Sequence, residues 1–209
     1  MAKKNTCKTC RRLGESLVLR GGKCASGKCA FARRPTPPGK PMAERKHRST
    51  VTEFGTQMRE KQKVRFSYGI SEKQFSAYVK DAAHAKGVAP TDSLYERLER
   101  RLDNVVFVLG FPKSRAHARQ ITSHGHITVN GKKMTIPSYP VKNGDIIAVR
   151  EGSKKSPIFA TAAEDMVKAP ADWITVDPSK LSATIKGAPK LDKNRMTFNL
   201  QSVIEFYSR

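Results

Sequence analysis

An α+β fold is what this sequence predicts, and three observations carry the prediction. Helix-start signals followed by apolar stripes recur between residues 49 and 110. After them an Asn130-Gly131 turn sits among alternating apolar and polar residues, the strongest short-range hairpin signal. Ahead of both, all four cysteines of the chain fall within its first 29 residues.

The chain has 209 residues and a formal charge of +22, from 40 Lys and Arg against 18 Asp and Glu. A folded chain with that excess repels itself unless a polyanion neutralises it. Nucleic acid is the first reading of the partner and an anionic membrane surface the second. No 18-residue apolar run is present, so no membrane span is expected. The opening MAKKNTCKTC lacks the apolar stretch of a secretory signal, and a cytoplasmic protein is expected. The cations run along the whole chain, which favours a folded body with several anion-facing surfaces over one basic tail.

Cys7, Cys10, Cys24 and Cys29 follow the spacing C-x2-C-x13-C-x4-C. Two close pairs separated by such a loop can wrap four thiolates around one soft cation. Nearby lysines and arginines would lower the thiol pKa values. The other reading is two disulfides or four free thiols, and the lack of an export signal argues against disulfides. Zinc is the default ion, and an iron–sulfur cluster suits four cysteines equally. Either would be structural, since all four positions are filled. The overlapping GKCASGKC at 22–29 imitates a phosphate-binding loop. It has a thiol where Mg²⁺ needs a hydroxyl, two of its residues are expected ligands, and a Pro-rich run soon stops the next helix.

Residues 11–19 are expected as a short helix with Leu13 and Leu17 on one side. The Pro-rich run after the second cysteine pair holds Arg33, Arg34, Lys40, Arg45, Lys46 and Arg48 against Glu44 alone. Prolines keep such a run extended, and its charge suits phosphates. A helix is predicted over 49–69, and its REKQKVR stretch adds Lys61, Lys63 and Arg65 to the candidate phosphate contacts. The next helix starts at a capping box, Ser71 with Gln74, and buries Phe75, Tyr78, Val79 and Ala82 until Gly87. A long helix follows Pro90, with Ser93 and Glu96 as a second capping box. Its core side is Leu94, Leu98, Leu102, Val105, Val106 and Leu109, closed by Gly110 and Pro112. Glu96 and Arg100 can pair at i, i+4, for a few tenths of a kcal/mol. Arg97 and Arg101 share another face with no obvious partner and, with Arg100, are candidate phosphate contacts; Asp103 reads as a solvent-facing or helix-face acid.

Ser114 then caps a short helix that turns Ala118 and Ile121 inward and Arg115 and Arg119 outward, one turn apart, until Gly125. In the hairpin, Val129 opposes Lys132, Thr128 pairs with Lys133, and Ile127 opposes Met134. A second turn, VKNGD, leads into IIAV. Arg115, Arg119, Gln120, His124, His126, Lys132 and Lys133 therefore line one edge with almost no acids. The region 151–190 shows partial strand alternation, with Trp173 as a core anchor. The end reads as a strand and then a short helix with Leu200, Val203, Ile204 and Tyr207 inward.

These residues resemble a known family. RLERRLDNVVFVLGFPKSRAHARQITSHGHITVNGKK, followed by IPSYPVKNGDII, resembles the alpha-L RNA-binding domain, a helix-helix-hairpin module. RRPTPPGK, REKQKVRFSYGISEKQF, the terminal IEFYSR and the four-cysteine spacing extend the resemblance, nearly end to end, to the bacterial-type small ribosomal subunit protein four family. The resemblance implies a helical domain (49–96) behind the metal-binding and Pro-rich segment (1–48). It also implies an inserted alpha-L domain with its β extension (97–190), and a C-terminal segment (191–209) that returns to the helical domain. It further implies primary binding to small-subunit ribosomal RNA early in assembly, and a place near the mRNA entrance that bears on decoding accuracy. Neighbouring small-subunit proteins, including protein five, are the implied protein partners. Where the family commonly continues its PPG step with Gln-His-Gly, this chain has Lys40, Pro41 and Met42.

The alpha-L module also occurs in pseudouridine synthases and a class of tRNA synthetase, and RRLD at 100–103 superficially matches the catalytic Arg-Leu-Asp step of the former. Those enzymes need a separate catalytic domain, and no such stretch remains here. The five histidines show no catalytic or protease spacing. The expectation is a non-enzyme with no small-molecule substrate; a free regulator acting through mRNA is the other binding role that charge allows.

Overall fold

The computed structural model describes residues 6–39, 51–110, 112–168, 171–191 and 196–208. Two compact units emerge, Met1–His84 with Asn194–Arg209, and Ala85–Lys193. The first is helical, and the second joins helices to one small antiparallel sheet.

In the first unit, α1 (Thr6–Leu13), α2 (Gly22–Ala25) and α3 (Ala30–Arg33) surround the cysteines. The helix expected over 11–19 thus lies earlier: Gly14 at φ 78° ends it, where residues other than Gly are strained. The long α4 (Glu53–Tyr68) starts at Thr52, whose Oγ1 accepts the Gly55 N–H at 3.2 Å, and stops at left-handed Gly69. Ser71 caps α5 (Glu72–Ala83) by accepting the Gln74 N–H at 3.3 Å. The chain end forms α10 (Leu200–Ser208), with no strand before it among the described residues. Asn199 caps it, accepting the Ser202 N–H, while the Asn199 N–H donates to Glu60 Oε2 at 2.8 Å on α4. Val203 and Leu200 are buried, and Phe206 meets Phe54 at 5.4 Å and Tyr207 meets Phe75 at 6.0 Å between ring centres. These contacts clip the C-terminal helix onto α4 and α5.

The second unit begins ahead of α6 (Pro90–Glu99), and by its contacts this helix belongs to it. Pro90 is the first helical residue after Ala89, so Ser93 lies inside the helix and does not cap it. The single long helix expected here is two: α7 (Leu102–Val108) starts afresh after Arg101, whose backbone is extended at φ −66°, ψ 135°. The break has a tertiary cause. Arg100 O accepts the Val141 N–H at 2.8 Å, and the N–H groups of Leu102 and Asp103 donate to Tyr139 O and Pro137 O. These groups leave the helical ladder to pair with a distant extended segment.

Next come α8 (Arg115–Ser123), β1 (Ile127–Val129), β2 (Lys132–Lys133), β3 (Ile146–Val149), two 3-10 turns, α9 (Ala162–Lys168), β4 (Ile174–Asp177) and β5 (Ser182–Ile185). The strand order is β2-β1-β3-β5-β4, all antiparallel. Asn130 at φ 49° and Gly131 at φ 78° build the tight turn, and Thr128 pairs with Lys133 and Val129 with Lys132, as the alternation predicts. Ile127, Val129, Ile147, Val149, Ala183 and Ile185 share a core with Leu102, Val105, Val106 and Ile121 of α7 and α8. Trp173 is half-buried at the margin of this core.

Candidate nucleic-acid interface and cysteine pocket

The second unit carries the basic edge. Ser114 Oγ accepts the His117 N–H at 3.2 Å and starts α8, so that Ala118 and Ile121 pack inward. Arg115 and Arg119 then fall one turn apart on the opposite side, half-buried, with Gln120 and His124 exposed. The helix ends at Gly125, φ 74°. His126 bonds through Nδ1 to Ser153 Oγ at 3.0 Å and meets Phe159 edge-on. Burial, then the charges of His124, Arg150 and Lys133, push its pKa below the usual histidine value. Lys132 and Lys133 on β2 are exposed and complete the edge.

No Asp or Glu occurs between Asp103 and Asp145. Both flanking acids are consumed internally. Asp145 is buried and accepts from Asn130 Nδ2 and the Lys142 N–H, both at 2.8 Å. Asp103 is 4 % exposed and takes a two-pronged bond from Arg101, Nε at 3.0 Å and Nη2 at 2.7 Å. The stretch between them therefore contributes positive charge and no carboxylate of its own to the edge, and exposed Glu151 beyond it pairs with Lys154.

Several candidates outside that edge are tied to partners within the fold. Arg101 is 1 % exposed and belongs to the core with Asp103, which corrects both the phosphate role of Arg101 and the solvent-facing position of Asp103. Arg100 donates to Glu96 Oε1 at 2.7 Å, Val141 O and Asn143 Oδ1, tying the end of α6 to the distant VKNGD turn. In the first unit, Lys61 pairs with Glu72, Lys63 with Glu15 and Glu60, and Arg65 with Glu72. These cations are turned into the fold, since an unpaired buried charge is far costlier than a paired one. Arg97 on α6, and Arg33 and Arg34 near the cysteines, are exposed. Lys40, Arg45, Lys46 and Arg48, with the Met42 step, lie outside the described residues.

Sequence reasoning missed Asn104. This amide, 2 % exposed, accepts Arg115 Nε at 2.9 Å and donates through Nδ2 to Glu99 Oε2 at 2.9 Å. Its position in an apolar helical stripe was the available signal: a polar residue there needs a buried partner.

In the first unit one pocket is lined by Cys7, Cys10, Cys24 and Cys29, together with Arg20 and Phe31. All four thiols are free. The Arg20 N–H donates to Cys24 Sγ at 3.4 Å. Burial pushes the Cys10 thiol up, whereas the backbone N–H groups of Ala32 and Phe31 pull the Cys29 thiol down. Four soft donors around one pocket, with backbone N–H groups directed at sulfur, fit the chemistry of a thiolate-bound cation. Among the described residues, however, no three Cys, His, Asp or Glu side chains stand as a closed metal-holding group. No described helix is long and apolar enough to cross a membrane.

Comparison with known proteins covers both units. A family model for the ribosomal protein S4/S9 N-terminal domain matches residues 2–99, and the S4 domain matches residues 100–147. Small ribosomal subunit protein uS4A of Symbiobacterium thermophilum is 45% identical over 203 residues, 97% of this chain and 96% of its own length. The uS4 proteins of Syntrophomonas wolfei, 45% identical over 98% of this chain and 97% of their own, and of Dehalococcoides mccartyi, 46% identical over 97% and 96%, are equally similar end to end.

Proposed function

This chain belongs to the small ribosomal subunit protein uS4 family, and from that premise we propose that its α8–hairpin edge is the surface that holds small-subunit ribosomal RNA. The protein is a structural, non-enzymatic constituent of the small ribosomal subunit with an RNA-binding domain. The carrying observation is the edge itself: Arg115, Arg119, Gln120, His124, His126, Lys132 and Lys133, with no exposed acid in the same stretch. Cations on phosphate set position, while structured RNA is read by shape, backbone and 2′-OH groups. Gln120, His124 and His126 supply the hydrogen-bonding groups for the second task. Exposed Arg97, Arg33 and Arg34 are further phosphate contacts, and Lys40, Arg45, Lys46 and Arg48 extend them in sequence.

From the family resemblance, not from the edge itself, we infer primary binding that nucleates subunit assembly in the cytoplasm, contacts near the mRNA entrance that bear on decoding accuracy, and contacts with protein five. The metal reading is part of it: Cys7, Cys10, Cys24 and Cys29 hold a structural Zn²⁺, with an iron–sulfur cluster as the alternative, supported by the shared pocket and the N–H groups directed at sulfur. The test of the RNA reading is affinity for small-subunit ribosomal RNA against an unrelated folded RNA of equal length across a salt series. Selective binding that survives physiological salt is expected. Equal, steeply salt-sensitive binding to both would leave only a general polyanion binder.

A further inference from the structure

Arg115 and Arg119 do not stand on the surface unsupported. Each leans on a side chain of the first turn of α7, a helix that itself faces the core. Arg115 Nε donates to Asn104 Oδ1 at 2.9 Å, and its guanidinium carbon lies 4.6 Å from the centre of the Phe107 ring. Asn104 is held in turn: its Nδ2 donates to Glu99 Oε2 at 2.9 Å and to Glu99 O at 3.2 Å. Arg119 Nη1 lies 3.8 Å from Asp103 Oδ2, the oxygen that also receives Arg101. Asn104 and Glu99 are 2 % and 7 % exposed, so this support sits inside the fold.

We propose that Asn104 is a positioning residue for RNA binding: the buried chain Glu99–Asn104–Arg115 fixes the guanidinium plane of Arg115 before RNA arrives. The inference rests on the reading of the α8–hairpin edge as the RNA surface. Its physical basis is the choice of atoms. A bond at Nε fixes the orientation of the planar fork, while the Phe107 ring restrains its tilt. A free arginine loses rotamer freedom on binding, and one already ordered by the fold does not. The helix break at Arg101 belongs to the same device, because it gives α7 a new first turn that carries Asp103 and Asn104 beneath α8.

The test is a double-mutant cycle on the full chain, read as affinity for small-subunit ribosomal RNA and as salt slope. Arg115→Lys keeps the charge but has no Nε donor, and it leaves the Glu99–Asn104 bond in place. We expect it to lower affinity roughly three- to tenfold, the worth of ordering one long side chain, with the salt slope unchanged. Asn104→Ala is expected to cost a similar factor in the wild-type chain and almost nothing in the Arg115→Ala chain. An Arg115→Lys chain that binds as wild type overturns the positioning role and leaves the interface standing. An Asn104→Ala loss of equal size with and without Arg115 also overturns it, since a general loss of fold would act in both backgrounds. An Arg115→Ala chain that binds as wild type removes the interface and the positioning role together.

Discussion

Lys133 crosses directly over Gly125: a Cβ on Gly125 would collide with the Lys133 side chain and press on Thr135. Gly125 is also left-handed, at φ 74°, where any L side chain is strained. The glycine that ends α8 is therefore the floor on which a hairpin cation lies. Gly125→Ala is expected to destabilise the fold by about 1–2 kcal/mol from the backbone alone. It should also weaken RNA binding beyond that of Lys133→Ala, because His124 and His126 flank the same turn. Thermal melting and RNA affinity of the two variants check this; equal melting of Gly125→Ala and wild type would remove the strain argument.

Much of the basic edge was legible because its signals are local. A Ser cap, an Asn-Gly turn and a period-2 alternation each act within a few residues, and the register of β1 with β2 followed from them. The break between α6 and α7 was not legible. Nothing in ERRLDN forbids a continuous helix, and the cause is the pairing of Arg100 and Leu102 with residues some 40 positions away. The same limit hid the fates of Arg101 and Lys61. Charge in a sequence reads as surface, yet Arg101 is buried against Asp103 across the helix break, and Lys61 is paired with Glu72 of the next helix. Periodicity places a side chain on a face but does not name its partner there.

Arg101 and Arg115 should separate cleanly in experiment. Arg101→Ala leaves Asp103 buried without its two-pronged partner and is expected to cost about 3–5 kcal/mol of stability. Arg115→Ala and Arg119→Ala should each alter stability far less, but each should reduce the slope of RNA affinity against salt by about one unit. Urea unfolding and a salt series on all three variants check the contrast. A normal melting profile for Arg101→Ala would undo its assignment to the core.

The clasp of α10 predicts sensitivity at both ends of the pH scale. Tyr207 Oη donates to Glu72 Oε1 at 2.6 Å, and Lys61 Nζ reaches the same oxygen at 2.7 Å. Burial pushes the Glu72 carboxyl up, but the bonds from Lys61 and Tyr207 outweigh it and hold the group below its usual value. A depressed carboxylate adds stability that is complete above the ordinary range and disappears as pH falls through the lowered value. Burial and then Glu72 raise the Tyr207 phenol, so its contribution is complete below about pH 10 and fades as pH climbs beyond. Glu72→Gln should flatten the acid side of a stability–pH curve below about pH 4. Tyr207→Phe should shrink the alkaline loss and cost about 1–3 kcal/mol at neutral pH. An unchanged acid limb in Glu72→Gln would mean that other carboxylates control it.

The cysteine pocket yields the remaining prediction. Metal affinity of thiols depends on pH because each ligand must shed its proton, and the backbone N–H groups directed at Cys29 favour that loss. Adding Zn²⁺ to metal-free protein should raise the melting temperature of the full chain and release protons, one ion per chain. Cys10→Ser should abolish both effects, since Cys10 is the most buried of the four and its loss opens the set from the inside. The second unit supplies an internal control. Its hairpin core shares no residue with the pocket, so hydrogen exchange at Ile127 and Val129 should be indifferent to zinc, while Cys10 and Cys29 gain protection. Protection gained nowhere near the cysteines would dismiss the site, and visible absorption from iron and sulfide in protein purified without oxygen would replace zinc with a cluster.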